Sequence, residues 1–124
     1  MNLDDIKKYS QTIGEELSGI ISISVITADD GMVVDYFSTD QNIDNQLAAS
    51  FQVEVLRQIT RGLNYIDNLE NKEILNLNFS LEEQTHFVFL SGSKDLIVHI
   101  VADSKETNVG MVNIFHKKNK QLLG

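Results

Sequence analysis

The sequence predicts an α+β domain in which a five-stranded antiparallel sheet is covered by helices on both faces, in the order αββαβββα. Three observations carry that prediction. Apolar residues recur at helical spacing in separate stretches, and runs rich in β-branched and aromatic residues alternate with turns too short for a parallel crossover. Two of those runs, Ile20 to Ile26 and Leu96 to Ala102, are nearly continuous in apolar residues, which a sheet wetted on one side would not tolerate.

The first helix is expected from about 3 to 17. Leu3, Ile6, Ile13 and Leu17 fall on one face, Asn2 is the N-cap, and Asp4 and Asp5 suit the positive end of the helix dipole. Ser18-Gly19 stops it. The β-branched run from Ile20 to Thr27 is apolar on both faces and is therefore a central strand. Ala28-Asp29-Asp30-Gly31 then provides a tight hairpin turn into the strand from Met32 to Phe37. With Asp30-Gly31 as a two-residue loop, Val25 faces Tyr36 and Thr27 faces Val34. Ser38-Thr39-Asp40 ends the hairpin.

From about Asp44 to Ile66 the pattern becomes helical. Leu47, Ala48, Phe51, Val55, Leu56, Ile59 and Leu63 spread over roughly half the wheel, more than one sheet contact requires. The opposite stripe holds Ser50, Glu54, Arg57 and Arg61, and those two arginines are the only ones in the chain. Asn64 to Asn68 marks the exit. Three strands follow, Glu73 to Phe79, Thr85 to Leu90 and Leu96 to Ala102, as a meander with short loops. Thr107 or Asn108 caps a last helix from Val109 to about Gln121, whose final turns carry Lys117, Lys118 and Lys120.

The chain has 124 residues, a length that suits one domain over 1–124. With 18 acidic side chains, 10 basic ones and a net charge of −8, it is a poor binder of nucleic acid or anionic lipid. The absence of cysteine excludes disulfides, thiolate metal sites and a cysteine nucleophile, and is compatible with a reducing compartment. Neither a signal peptide nor a spanning helix fits, so the expected location is the cytoplasm. No linker, repeat or low-complexity stretch is evident.

Catalytic chemistry is thin. His86, His99 and His116 are scattered, and His86 meets His99 only in one register of the fourth and fifth strands. Asp29-Asp30-Gly31 lacks the spacing of a calcium loop, and no phosphate-binding glycine motif or serine elbow occurs. No catalytic, cofactor or metal site is expected.

The third strand is more informative. Ile74, Leu75, Asn76, Leu77 and Asn78, continued by Phe79, alternate cleanly at one end of the meander without proline, lysine or any charge. An edge strand left so open invites a partner, and by two-fold symmetry the simplest one is the same strand of a second copy. The dimer interface is therefore expected at Ile74 to Asn78, together with Leu47, Phe51 and Val55 of the second helix. Burial of those three side chains would contribute several kcal/mol, at roughly 1.5 to 3 each. A capped edge and a stripe buried within one monomer are the alternatives. Ser50, Glu54, Arg57 and Arg61 form a candidate docking stripe for an acidic or phosphorylated partner, against plain solvation with Glu54 satisfying Arg57.

These residues resemble the Roadblock/dynein light chain family along essentially the whole chain. The resemblance lies in Ser18-Gly19 before the first strand, Asp30-Gly31 in the hairpin, Ala48-Ala49 in the second helix and Asn108-Val109-Gly110 opening the last one. It implies a Roadblock/profilin-like fold, with Gly110 letting the last helix start close to the sheet. Where the family often has a basic residue shortly afterwards, Met111-Val112-Asn113 stands here. The resemblance further implies homodimers or heterodimers through the third strand and second helix, and a non-enzymatic scaffold that docks Ras-like small GTPases, with GTPase regulation as the role of a stand-alone bacterial-type member. Two rivals remain. A secretion chaperone would place three strands between its first two helices, and a small-molecule sensor would need a cavity lined by side chains such as Phe51, Phe87 and Phe89.

Overall fold

Each helix begins at a side chain that accepts one of the backbone N–H groups left without a partner in the first turn. In the computed structural model, which describes residues 1–40 and 44–124, Asn2 accepts from the Asp5 N–H at 3.1 Å and opens α1 (Leu3–Glu16). Asp44 accepts from Leu47 at 3.0 Å and opens α2 (Asn45–Leu63). Asn108, and not Thr107, accepts from Met111 at 2.9 Å and opens α3 (Val109–Asn119), which tightens into a 3-10 turn over Lys120–Leu123.

The strands are β1 (Ile20–Thr27), β2 (Val33–Ser38), β3 (Asn76–Ser80), β4 (Gln84–Leu90) and β5 (Leu96–Asp103), all antiparallel in the order β2-β1-β5-β4-β3. The two apolar runs, β1 and β5, lie side by side within the sheet, as their two-faced burial requires. On one face, α1 and α3 bring Ile6, Tyr9, Ile13 and Val112 against Ile23, Val25, Phe87, Phe89, Val98 and Ile100. On the other, α2 sets Ala49, Val53 and Leu56 over Ile26, Val88 and Ile97. The predicted order and two-sided covering are both observed.

The hairpin differs from its expected form. Thr27 donates its N–H to the Met32 carbonyl at 2.9 Å, so the loop closes around four residues, Ala28 to Gly31. The Asp30 carboxylate folds into that loop, accepting from the Thr27 hydroxyl and from the Met32 N–H at 3.2 Å. Only Gly31 takes a positive φ, at 72°. A bulge between Val25 and Ile26 absorbs the offset, so Val25 pairs with Asp35 and Tyr36 with Ser24. The expected pairs Val25 with Tyr36 and Thr27 with Val34 are therefore not formed. Two boundaries move by three residues: α2 ends at Leu63 rather than Ile66, and β3 begins at Asn76 rather than Glu73.

The implied role of Gly110 is corrected as well. A Cβ there would meet the Asn108 cap oxygen at 3.3 Å and no atom of the sheet. A close approach instead occurs at Gly14, where an added Cβ would lie 2.6 Å from the Phe37 ring of β2. Gly14→Ala is expected to destabilise the domain by about 1 to 3 kcal/mol through overpacking. Urea unfolding measures the loss, and Phe37→Leu in the same chain is expected to recover part of it.

Candidate functional site

The outer edge of β3 is open. Its inner edge pairs with β4 from Asn76↔Phe89 to Ser80↔Thr85, and no described residue hydrogen-bonds to the other side. Along the strand only Leu77 turns partly inward, onto the α2 cluster, while Asn76, Asn78, Phe79 and Ser80 are exposed. Ile74 and Leu75 precede the strand and behave differently from one another. Ile74 packs against its own α2 cluster, whereas Leu75 is 75% exposed.

Helix α2 divides its apolar residues between two environments. Ala49, Val53 and Leu56 face the sheet together with the buried polar Gln52, and of these four only Leu56 belonged to the apolar stripe that the periodicity predicted. Leu47, Phe51 and Val55 stand outward, with Phe51 63% exposed. At 100° per residue Phe51 and Val55 lie on one flank of the helix, and Val53 and Arg57 on the other. The apolar stripe is wide because part of it has nothing to pack against within the chain.

The docking stripe is brought together along one line of the helix, with Ser50, Glu54, Arg57 and Arg61 all exposed. Arg57 is partly engaged: it donates to the Asp29 carbonyl of the β1–β2 turn at 3.0 Å and meets Glu54 at 3.8 Å. Arg61 has no ion-pair partner among the described residues. On the Arg57 flank, between α2 and the ends of β1, β4 and β5, runs a groove of about 350 Å3 floored by Val53, Leu56, Leu90 and Ile97. Sequence reasoning missed this groove. Its helical half was legible as Val53, Arg57 and Thr60 at spacings of four and three, but its other half comes from strand ends that only the fold places there.

The histidines are brought together more than the sequence indicated. His86 Nδ1 lies 2.9 Å from His99 Nε2, and Phe79 of the edge strand stacks on His86 with ring centroids 4.7 Å apart. Register places this row on the α2 side of the sheet, since Phe79 follows Leu77, His86 precedes Val88 and His99 follows Ile97 by two residues each. An N–H of one ring must donate to the lone pair of the other, so the contact does not survive a proton on both rings. On the opposite face the Tyr9 hydroxyl and His116 Nδ1 share a hydrogen bond at 2.7 Å, and His116 stacks on Phe89. Burial pushes His99 down to about 4, with a smaller contribution from His86, and burial with Lys120 pushes His116 down to about 4. Burial also raises the Tyr9 hydroxyl well above its ordinary value. Both shifts leave His99 and His116 neutral near pH 7, and among the described residues no three ligating side chains cluster for a metal ion.

The sensor cavity does not form. Phe87 and Phe89 are buried on the α1 side of the sheet, while Phe51 is exposed on the α2 side, so the three cannot line one space. The chaperone order is not met either, since two strands separate α1 from α2. No helix among the described residues is long and apolar enough to cross a membrane.

The same architecture recurs in solved structures. The chain matches Myxococcus xanthus MglB with a TM-score of 0.85 and 16% identity, over 98% of this chain and 86% of that one. It matches the gliding protein MglB of Thermus thermophilus at 0.79 and 12% identity, over 98% and 87%. A Roadblock/LC7 domain from Streptomyces avermitilis matches at 0.75 and 13% identity, over 93% and 91%. The sequence matches no protein-family model and no curated protein. The chain has the Roadblock/LC7 fold.

A pH dependence follows from the buried rings. Their folded pKa values lie below the unfolded value near 6.5, so as pH falls from 6.5 the unfolded chain takes up protons that the folded one refuses. Stability is expected to fall between pH 6.5 and 4, with His99 accounting for a loss on the order of 3 kcal/mol. Urea unfolding across that range checks it, and His99→Gln should flatten the slope.

Proposed function

We propose that this chain is a non-enzymatic Roadblock-type regulator that works in the cytoplasm as a homodimer and docks a Ras-like small GTPase. The observation that carries the reading is the open outer edge of β3 in a molecule that also leaves Leu47, Phe51 and Val55 of α2 uncovered. Pairing β3 with its two-fold mate would extend the sheet across two copies, and the exposed flank of α2 would then be buried against its counterpart. In that pair Leu75, Asn76, Leu77 and Asn78 supply the strand contact, while Ile74 supports it from within its own core.

The docking role rests on charge and exposure. The polar line of α2 carries both arginines of an acidic chain, and a guanidinium offers forked hydrogen bonds to carboxylate or phosphate. The family resemblance supplies the GTPase as partner, and the MglB structures among the matches, one of them described as a gliding protein, support the fold on which that reading rests. An interaction platform needs no catalytic constellation of its own.

Two outcomes are expected. Sedimentation equilibrium of dilute protein in high salt should give the mass of two chains for the wild type and of one chain for Phe51→Asp/Val55→Asp, because each aspartate would place an unpaired charge in the buried contact. An unchanged mass for the variant would remove the helix from the interface. Arg57→Glu/Arg61→Glu should weaken binding of the cognate GTPase about tenfold or more by calorimetry, with the dimer mass kept. Equal affinity for variant and wild type would show that the arginines do not dock it.

A further inference from the structure

Two surfaces at the end of α2 complement each other, and each holds charged groups without an ion-pair partner among the described residues, Arg61 in the first and Asp67 and Glu70 in the second, whereas Arg57 already meets Glu54 and the Asp29 carbonyl. The first is the groove on the Arg57 flank, with its apolar floor and its rim of Arg57 and Arg61. The second is the segment that leaves the helix. Tyr65 is 89% exposed, Ile66 43% and Leu69 47%, which leaves three large apolar side chains in water within five residues. Asp67 directly follows Ile66, and Glu70 directly follows Leu69. Two apolar–acid pairs three residues apart thus stand beside an apolar groove whose two cations lie one helical turn apart. Neither acid has an ion-pair partner among the described residues.

The segment does not reach its own groove. Backbone bonds from Asn64, Tyr65 and Ile66 to the carbonyls of Arg61, Gly62 and Leu63 carry these residues onward from the helix end. Glu73 is then held beside Lys94 at 3.7 Å before β3 begins. Groove and segment nevertheless share the C-terminal end of α2, Arg61 preceding Tyr65 by four residues, so a two-fold axis there would let each copy give and receive.

We propose that residues 65–70 of a second copy occupy this groove, reciprocally, with Ile66 and Leu69 on the apolar floor and Asp67 and Glu70 facing Arg57 and Arg61. The contact uses the flank of α2 opposite Phe51 and Val55, so it adds to the β3 and α2 pairing and builds assemblies larger than two chains. It is also electrostatically closed: opposite charges meet at an exposed rim, so added salt weakens it. Because Arg61 belongs to the docking stripe as well, copies joined this way would have less of that stripe free. That last consequence rests on the docking reading, whereas the contact itself does not.

Sedimentation velocity of the full chain over a range of concentrations, at low and high salt, tests the proposal. The wild type is expected to form species above two chains as concentration rises, and to lose them in high salt. Arg57→Glu/Arg61→Glu, and separately Asp67→Arg/Glu70→Arg, should each weaken that step about tenfold or more, and the four changes combined should restore it by exchanging the charges. Phe51→Asp/Val55→Asp should leave the step intact, now joining single chains into pairs. Identical sedimentation of wild type and Arg57→Glu/Arg61→Glu throughout would overturn the contact, as would failure of the four-fold charge exchange to restore association. Neither result would bear on the β3 pairing, which the Phe51 and Val55 variant reads separately in dilute, high-salt solution, where the groove contact is lost.

Discussion

A sheet buried on two faces needs more helix than this chain has. Five strands about 4.8 Å apart span about 19 Å, and a strand of eight residues runs about 26 Å. A helix with its side chains is about 10 to 12 Å thick, so a single one covers about half of such a face whichever way it lies. Two helices and a 3-10 turn serve one face here, and α2 alone serves the other. The remaining features follow from that shortage: a flank of α2 with nothing to touch, Phe79 at the surface, and a strand edge with nothing beside it.

The polar groups obey the same constraint. Ser22, Ser24 and His99 sit within the buried sheet on the α2 side, where a fully covered face would carry aliphatic residues. Ser24 donates to Asn45 at 3.2 Å, and His99 shares its hydrogen bond with His86. Such a row is tolerated because each ring is neutral and has a partner. It also makes this face less adaptable than the aliphatic core beneath α1 and α3.

Much of the fold was legible in the sequence because it rests on local rules. Caps at Asn2 and Asn108, the β-branched run of β1 and the short turns of the meander each act within a few residues, and all survive in the structure. The hairpin register was not legible. Asp30 and Thr27 compete with the two-residue turn by bonding to one another and to Met32, and that local network outweighed the preference for a tight loop. The start of β3 was misplaced because Ile74 continues the alternation of the strand while packing against the core from a loop.

The candidate site divides in the same way. The sequence by itself determined that the chain would be an α+β domain, that its third strand would lack charge, and that α2 would carry too broad an apolar stripe, because composition and period are properties of the chain. Only the tertiary structure decided which side chains of α2 face inward: Leu56 of that stripe does, joined by Ala49 and Val53 from outside it, because the angle at which the helix meets the sheet selects them. It alone joined Arg57 to the β1–β2 turn, closed a groove between α2 and three strand ends, and brought His86 against His99. Each of those contacts links residues far apart in sequence, and their meeting depends on a register that no local pattern specifies.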